Sequence, residues 1–177
     1  MRKLSILLLA LLMCISLPLL AQEQEQEKPG TPPPPKPLGE EWDWMVGEWE
    51  GYTESPMGKA KEWEKVEFTL DRQFMMIQAT SEWNGMTYKG GGVTTVDPKT
   101  GELVGYWFDN FRSVYQGKGK REGDKFTMTW IGPIGQSTRI TEKVSDDKYT
   151  ITVKMTGAEG KETESKTVMT RKKKETE

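Results

Sequence analysis

Short extended runs, each ended by a tight-turn sequence, recur at regular intervals from Glu48 to Arg171 and constrain the fold more than any other feature. The clearest case is residues 86–111, where the sequence DPKTG at 97–101 separates two runs rich in β-branched and aromatic residues. Asp begins such a turn, Pro fixes φ and Gly takes the left-handed position. The dipeptide at residues 84–85, Asn-Gly, is a second strong hairpin sequence. These patterns predict consecutive antiparallel hairpins.

The runs number about ten, and none has the period of a helix except residues 38–46, where one or two helical turns are expected before Gly47. Every connection is short enough for a hairpin, which favours up-and-down order over Greek-key crossings. Closure of such a sheet into a barrel removes its exposed edge strands. The predicted fold is therefore all-β: an antiparallel up-and-down barrel of about ten strands with a short N-terminal helical turn.

Four segments differ in composition and define the expected domain organisation. Residues 1–21 combine a basic start with an apolar run, which predicts a signal peptide cleaved before Gln22. Residues 22–37 are rich in Gln, Glu and Pro and predict a disordered linker. Residues 38–171 are predicted to form the barrel domain, and residues 172–177 a charged tail. We therefore expect a secreted or periplasmic protein, associated with a membrane only if the signal remains as an uncleaved anchor.

Composition excludes several classes of site. The chain has no histidine, and its one cysteine, Cys14, lies in the predicted signal peptide. Histidine bases, Ser-His or Cys-His nucleophiles and the usual zinc, copper or thiolate-bound iron sites are therefore excluded. No segment has the alternating Asp/Asn pattern of a calcium loop. The formal net charge of -2 gives no basic surface for nucleic acid. We expect no metal, no cofactor and no nucleic-acid partner.

Several motifs resemble a known family. Residues 46–51, VGEWEG, resemble the G-x-W-x-G first strand of calycin-type barrels. The glycines and Asp-Pro turn of residues 90–98 and the W-x-D strand of 106–110 resemble a bacterial, secreted family of domains of unknown function, and residues 147–151 are similar to its closing pattern. The resemblance implies a calycin/lipocalin-like barrel and no established activity. Some related ten-stranded barrels bind haem through a histidine; because this chain has none, histidine-ligated haem is not expected.

The best candidate site lies on the strand with Trp107 and Asp109, which are two residues apart and so share a face. If Trp107 points inward, Asp109 lies inside the barrel or at its rim and needs a cationic or hydrogen-bonding partner. We predict Arg139 as that partner, with Arg72 and Arg112 as the other available arginines. The alternative interpretation is a structural pair that closes the end of the barrel.

The barrel interior is expected to hold a ligand cavity or a filled core. Aromatic and methionine side chains can line an adaptable apolar cavity, and a ten-stranded barrel is wider than side chains readily fill. We therefore expect an interior site for a small apolar or amphipathic ligand. The predicted ligand-binding residues are Trp49, Trp107, Asp109, Met128, Trp130, Arg139 and Tyr149.

Two alternatives remain open. One is a non-catalytic envelope protein with a filled core that acts through its surface. The other is a histidine-free acid/base enzyme that uses Asp109 and Arg139, although a non-enzymatic function is favoured and no catalytic residue is assigned. Glycoside hydrolysis requires two carboxylates, and the same-face pairs Glu48/Glu50 and Glu62/Glu64 have this composition. Each pair shares its strand with an aromatic residue on the opposite face, which predicts that both pairs lie on the outer surface.

Overall fold

The chain winds into a closed barrel of ten antiparallel strands, in which strands adjacent in sequence pair and β1 pairs with β10. The computed structural model describes residues 33–157 and 160–173. A 3-10 helix, Glu40–Met45, precedes the first strand. The predicted up-and-down barrel with a short N-terminal helical turn is confirmed. The strands are β1 (Gly47–Ser55), β2 (Gly58–Thr69), β3 (Phe74–Trp83), β4 (Met86–Val96), β5 (Leu103–Asp109), β6 (Val114–Glu122), β7 (Lys125–Gly132), β8 (Gly135–Ser145), β9 (Lys148–Thr156) and β10 (Glu162–Arg171).

Three segments that were predicted from the sequence lie wholly or partly outside the residues that the structure describes. The predicted signal peptide at 1–21, most of the predicted linker (22–32) and the last part of the predicted tail (174–177) lie outside the described residues. Within the ranges that are described, no helix has the length and apolar character needed to cross a bilayer. The barrel belongs to a compact unit that begins at Pro35.

The turns predicted from sequence have the backbone conformations that their residues favour. Asp97 Oδ1 accepts a hydrogen bond from the backbone N–H of Lys99 at 2.8 Å, and Gly101 has a φ of 74°. Asn84 and Gly85 both have positive φ, 48° and 77°. Positive φ at both central residues is the requirement of a type I′ hairpin turn. Local turn chemistry therefore determines where these strands end.

The two ends of the barrel differ. Where the chain enters β1, the 3-10 helix covers the opening and buries Trp42, Trp44 and Met45. The ring of Trp42 lies 4.9 Å from that of Phe126, and the ring of Trp44 lies 5.9 Å from that of Tyr149. We call this the closed end. The open end is formed by the β1–β2, β3–β4, β5–β6, β7–β8 and β9–β10 turns.

The filled core occupies the half of the barrel next to the closed end. Removing one large apolar side chain from water contributes about 1.5–3 kcal/mol, so this half carries much of the apolar stabilisation. The aromatic residues of the helix complete it from outside the sheet. The largest fully buried side chains are Trp49, Tyr149, Met75, Leu103, Met169 and Val66.

Two arginines hold the 3-10 helix and the chain before it against the barrel. Arg72, after β2, donates to the backbone carbonyl oxygens of Leu38 and Gly39, both at 2.9 Å. Arg171, the last residue of β10, donates to the carbonyl oxygen of Trp44 at 2.7 Å. These carbonyls lie in the helix or in the segment that leads into it, so none of them has a partner in a strand ladder. The arginines therefore satisfy them and fix the cover over the closed end.

Glycines on β4 let the indole of Trp107 lie along the wall of the barrel. A Cβ atom at Gly92 would overlap the carbonyl oxygen of Tyr106 and come within 2.8 Å of the Trp107 ring. A Cβ atom at Gly90 would meet the same ring at 2.5–2.7 Å. Contacts this short force neighbouring atoms to move. The glycine run was predicted to allow close approach, and it does so by letting the indole of Trp107 pack directly against the backbone of β4.

Replacing Gly92 with alanine is expected to lower the free energy of unfolding by about 1–2 kcal/mol, because the new methyl group overpacks against backbone and indole. Gly91→Ala is the matched control, since a Cβ there would find its nearest neighbour, the Ile77 carbonyl oxygen, at 3.5 Å. The control should change stability by less than about 0.5 kcal/mol. Urea denaturation followed by tryptophan fluorescence measures both; equal losses would show that the close packing around Gly92 has no energetic weight.

Candidate functional site

A cavity of about 650 Å³ occupies the half of the barrel next to the open end. Its walls are mainly apolar, and polar side chains collect at its inner limit, beside the filled core. The aromatic wall residues include Tyr88, Trp107, Tyr115 and Trp130. The aliphatic and thioether wall residues include Ile151, Val153, Met155 and Met169.

The cavity remains open because small side chains occupy the inward positions of β1, β2 and β3. Thr53, Ala60, Ala79 and Ser81 all line it, and each is too short to reach the middle of a ten-stranded barrel. On the opposite wall, a Cβ at Gly117 would lie 2.7 Å from the Trp130 ring, so this indole also rests along the sheet. The cavity therefore remains because the side chains on one wall are small and the aromatic rings on the other wall lie along the sheet.

An ion pair crosses the barrel at the inner limit of the cavity. Glu64 on β2 is 3% exposed, and its Oε2 accepts a hydrogen bond from Arg139 Nη2 on β8 at 3.1 Å. Its Oε1 accepts one from the Tyr149 hydroxyl on β9 at 2.8 Å. Burial, and then the negative charge of Glu64, raise the pKa of Tyr149 well above its usual value, so the phenol stays protonated and donates. Both Glu64 oxygens are therefore satisfied by side chains from the far wall.

A second carboxylate, Glu62, faces the cavity from the next inward position of β2. Its Oε1 accepts hydrogen bonds from the hydroxyls of Thr53 at 2.6 Å and Ser81 at 2.8 Å. Its Oε2 has no hydrogen-bond partner among residues 33–157 and 160–173. Burial raises the pKa of Glu62; the two hydroxyls oppose that rise, Glu64 adds to it and Arg139 opposes it. Glu62 is thus a partly desolvated acid with one carboxylate oxygen directed to no protein donor.

Tyr88 adds a polar atom to the aromatic wall. Its hydroxyl oxygen accepts a hydrogen bond from Trp107 Nε1 at 2.6 Å, which fixes the indole in the plane of the wall. Burial is the main cause that raises the pKa of Tyr88, so its phenol is protonated at neutral pH. The proton of that hydroxyl is therefore available to a molecule in the cavity. The described part of the chain contains no group of three or more acidic side chains placed to hold a metal ion.

The rim of the open end carries exposed apolar side chains. Met57, Met86, Phe111 and Ile134 come from four different hairpins and are each at least half exposed. Met57 and Ile134 also line the cavity itself. Exposed apolar residues that cluster in one place mark binding surfaces more often than those scattered singly. The rim therefore continues the apolar wall of the cavity outward to solvent.

The structure places the seven predicted ligand-binding residues in three different environments. One group lines the cavity, a second lies in the filled core at 6% exposure or less, and one residue lies at the end of β5. The cavity group is Trp107, Trp130 and Arg139; the core group is Trp49, Met128 and Tyr149; the residue at the strand end is Asp109. Tyr149 reaches the site only through its hydroxyl, by way of Glu64.

The predicted Asp109–Arg139 pair is wrong. Asp109 Oδ1 accepts hydrogen bonds from the backbone N–H groups of Phe111 at 2.9 Å and Ser113 at 3.0 Å, so it caps the β5–β6 turn. Arg139 pairs with Glu64 instead. An aspartate directly before the turn of a hairpin can satisfy its charge with local amides, which removes the need for a distant cation.

The predicted outer position of Glu62 and Glu64 is also wrong, whereas Glu48 and Glu50 are exposed as expected. The aromatic residue that motivated the prediction, Trp63, has the opposite parity on β2 to the two carboxylates and is half-buried. Val66 and Phe68 provide the better indicator, because they share the parity of the two glutamates and Val66 is fully buried. Read from Val66 backwards, the alternation of β2 places both glutamates inside.

Solved structures with related folds include proteins and designs of several kinds. The chain is similar to the S-type phycobiliprotein lyase CPES from Guillardia theta, with 11% identity, a TM-score of 0.57 and coverage of 76% of this chain and 92% of that one. A de novo designed fluorescence-activating β-barrel matches with 13% identity, a TM-score of 0.44 and coverage of 76% and 100%. Odorant-binding protein OBP1 matches with 13% identity, a TM-score of 0.40 and coverage of 75% and 74%. At such identities the likeness concerns the fold alone.

Sequence comparison relates the chain to a family rather than to an individual curated protein. No curated protein matches the chain significantly. A family model described as "Protein of unknown function (DUF1579)" matches residues 40–172. The matched region begins in the 3-10 helix, ends just after β10 and so includes every strand of the barrel.

Proposed function

The chain belongs to the DUF1579 family, whose function is unknown, and we propose that its barrel binds one small, largely apolar molecule in the cavity. The bound molecule lies between the aromatic wall of β4–β7 and the small residues of β1–β3. Its polar end, if it has one, lies at the inner limit, where Glu62 and Arg139 present a carboxylate and a guanidinium. The apolar rim of the open end is the entrance.

The cavity itself is the observation that carries this proposal. Protein interiors pack at the density of organic crystals, with few voids larger than a water molecule, whereas this cavity has a volume of about 650 Å³. Pockets for small molecules and cofactors have volumes of about 300–1,000 Å³, apolar walls and a few convergent polar groups. The cavity has all three properties. A barrel selected only for stability would have larger side chains at positions such as Ala60 and Ala79.

We also propose that binding takes place outside the cytoplasm, because residues 1–21 have the composition of a cleaved secretory signal. Residues 22–37 would then separate the barrel from the processed N-terminus as a flexible arm. A mature chain that begins at Gln22 contains no cysteine. Its barrel would be stabilised by packing and hydrogen bonds alone, independently of the redox state of the compartment.

The proposed function predicts that the purified protein binds small apolar molecules at its interior tryptophans. Trp107 and Trp130 line the cavity, so neutral ligands such as 1-decanol or a sterol should change tryptophan fluorescence saturably. Organic extraction of the exported protein, followed by mass spectrometry, should also release a bound small molecule. A clean extract together with no fluorescence response to the panel would contradict the proposed function.

A blocking variant tests whether the response comes from the cavity. Ala60→Trp puts a large ring into the space that Ala60 now lines, and we expect it to weaken decanol binding by about tenfold or more. Lys61→Trp is the matched control, because Lys61 is exposed on the outer face of the same strand. Equal binding by the two variants would show that the ligand lies elsewhere.

The two alternatives from sequence receive less support. A filled-core protein that acts only through its surface is not favoured, because half of the interior is a cavity. The acid/base pair of Asp109 and Arg139 is not assembled: Asp109 caps a turn and Arg139 is bound to Glu64. An interior ligand therefore accounts for the arrangement of residues better than either alternative.

A further inference from the structure

The charges at the inner limit of the cavity do not balance. Glu62 and Glu64 supply two carboxylates, and Arg139 supplies one guanidinium, which is bound to Glu64. The remaining charged residue of the lining, Glu164, lies at the β9–β10 end of the rim and is paired there with Lys166 at 3.2 Å. With all groups ionised, the residues that the structure describes therefore give the interior one uncompensated negative charge, and it belongs to Glu62.

The geometry around Glu62 leaves a defined place for a partner. Thr53 and Ser81 both donate to Oε1 and hold the carboxylate in one orientation. Oε2 receives no hydrogen bond from any side chain in the described ranges of the chain. A partly buried carboxylate without a counter-charge is unfavourable, and a donor with a positive charge stabilises it most. A cation is therefore the partner that would stabilise Glu62 most.

The walls next to this position favour the same kind of group. Aromatic residues form one wall of the cavity, and the indoles of Trp107 and Trp130 lie along the sheet over glycines. The faces of indole and phenol rings attract cations, and groups of such rings recognise ammonium groups. An anionic head would instead meet Glu62 and Glu64 together, while Arg139 is already neutralised by one of them.

We propose that the ligand of this cavity is a small amphipathic cation, an apolar body with one protonated amine or quaternary ammonium, whose charged head is seated against Glu62 Oε2. The apolar body lies between the aromatic wall and the small residues of β1 and β3. This inference rests on the proposed function, because it assigns the ligand class of the same cavity. Arg139 acts in it as the counter-charge of Glu64, which leaves Glu62 alone to recognise the head.

Three probes with the same tail separate this inference from the proposed function. Decylammonium, 1-decanol and decanoate differ only in their head, and tryptophan fluorescence or calorimetry measures the binding of each at pH 7. We expect decylammonium to bind about tenfold or more tighter than decanol, and decanoate to bind weakest, because an ion pair with a desolvated carboxylate adds to the burial of the tail. Equal affinity for decanol and decylammonium would overturn the cation inference and leave the proposed function standing. No binding of any probe would overturn both.

The Glu62→Gln variant tests whether the preference for decylammonium over decanol comes from Glu62. Gln keeps a carbonyl oxygen for Thr53 and Ser81 but carries no charge, so decylammonium should weaken about tenfold or more while decanol changes less than about threefold. Glu50→Gln is the matched control, since Glu50 is exposed on the outer face of β1. A Glu62→Gln protein that still prefers decylammonium would overturn the inference. So would an equal loss in the Glu50→Gln protein.

The pH dependence gives an independent readout. Burial is the main cause that raises the pKa of Glu62, and the negative charge of Glu64 on the same strand raises it further. Three groups lower this pKa: the hydroxyl of Thr53 on β1, the hydroxyl of Ser81 on β3 and the charge of Arg139 on β8. As pH falls through this raised pKa, Glu62 gains a proton and the affinity for decylammonium should fall. The affinity for decanol should stay constant, and Glu62→Gln should remove the difference. A decylammonium affinity that does not change with pH would contradict the assignment.

Discussion

Replacing Arg139 with methionine is expected to lower the free energy of unfolding by about 3 kcal/mol, because it leaves a buried carboxylate without its counter-charge. The side chain of Glu64 is 5% exposed, and its charge is balanced by Arg139 at 3.1 Å. Methionine has a similar length but no charge, so the variant leaves a carboxylate uncompensated in the interior. The hydroxyl of Tyr149 remains as its one neutral donor. Guanidinium denaturation of the ligand-free protein measures the loss.

A double variant distinguishes the lost pair from lost packing. Glu64→Gln keeps an acceptor for the Tyr149 hydroxyl and removes the charge, so Arg139→Met should destabilise a Glu64→Gln background far less than the natural one. Lys118→Met is the surface control, because Lys118 is exposed on β6, and its effect should be below about 0.5 kcal/mol. If Arg139→Met lowered stability equally in both backgrounds, packing and not charge compensation would explain the loss.

Replacing Arg171 with lysine is also expected to reduce stability strongly, by about 3 kcal/mol, because several charge-assisted hydrogen bonds are lost together. The Arg171 guanidinium donates to the backbone carbonyl oxygens of Trp44 and Val46, both at 2.7 Å, and to that of Asp146 at 2.8 Å. Its carbon atom Cζ lies 4.2 Å from the centre of the Trp49 ring. A lysine ammonium is a point charge and cannot reach three carbonyls on different segments while stacking on an indole.

The neighbouring residue provides the control for this prediction. Lys172 is exposed and forms an ion pair with Glu48 at 3.7 Å. Exposed pairs of this kind contribute about 0–1 kcal/mol, so Lys172→Met should be nearly neutral in thermal or denaturant unfolding. An Arg171→Lys protein as stable as the Lys172→Met protein would mean that the cover over the closed end does not depend on the guanidinium.

The fold could be predicted from the sequence because the features that determine it act between residues close together in the chain. The DPKTG turn at 97–101 and the Asn84-Gly85 dipeptide specify their own backbone conformations. Alternation within each run then gives a strand, and short connections give the order of the strands. None of these steps requires knowledge of what lies across the barrel, and the ten-stranded closed sheet follows from them.

The site could not be predicted in the same way, because its contacts are between distant strands. Glu64 and Arg139 are 75 residues apart in sequence, and no local pattern links them. Alternation divides β2 into two faces but does not say which face is inside, and Trp63 pointed to the wrong one. The depth of a residue along the barrel axis depends on how the strands are staggered. Trp49 and Tyr149 were therefore expected at the cavity and lie in the filled core.

The pairing of β1 with β10 has a consequence for how the protein acquires its structure. Thr53 and Thr167, whose hydroxyl oxygens are 2.6 Å apart across this seam, are separated by 114 residues. Contacts between such distant residues form slowly, because a long loop must close before they contribute. Until the ribosome has added the last strand, the growing sheet has two unpaired edges, which are sites for association with other chains. The seam therefore makes the pairing of β1 with β10 a late step of folding, and the two sheet edges are exposed to aggregation until it forms.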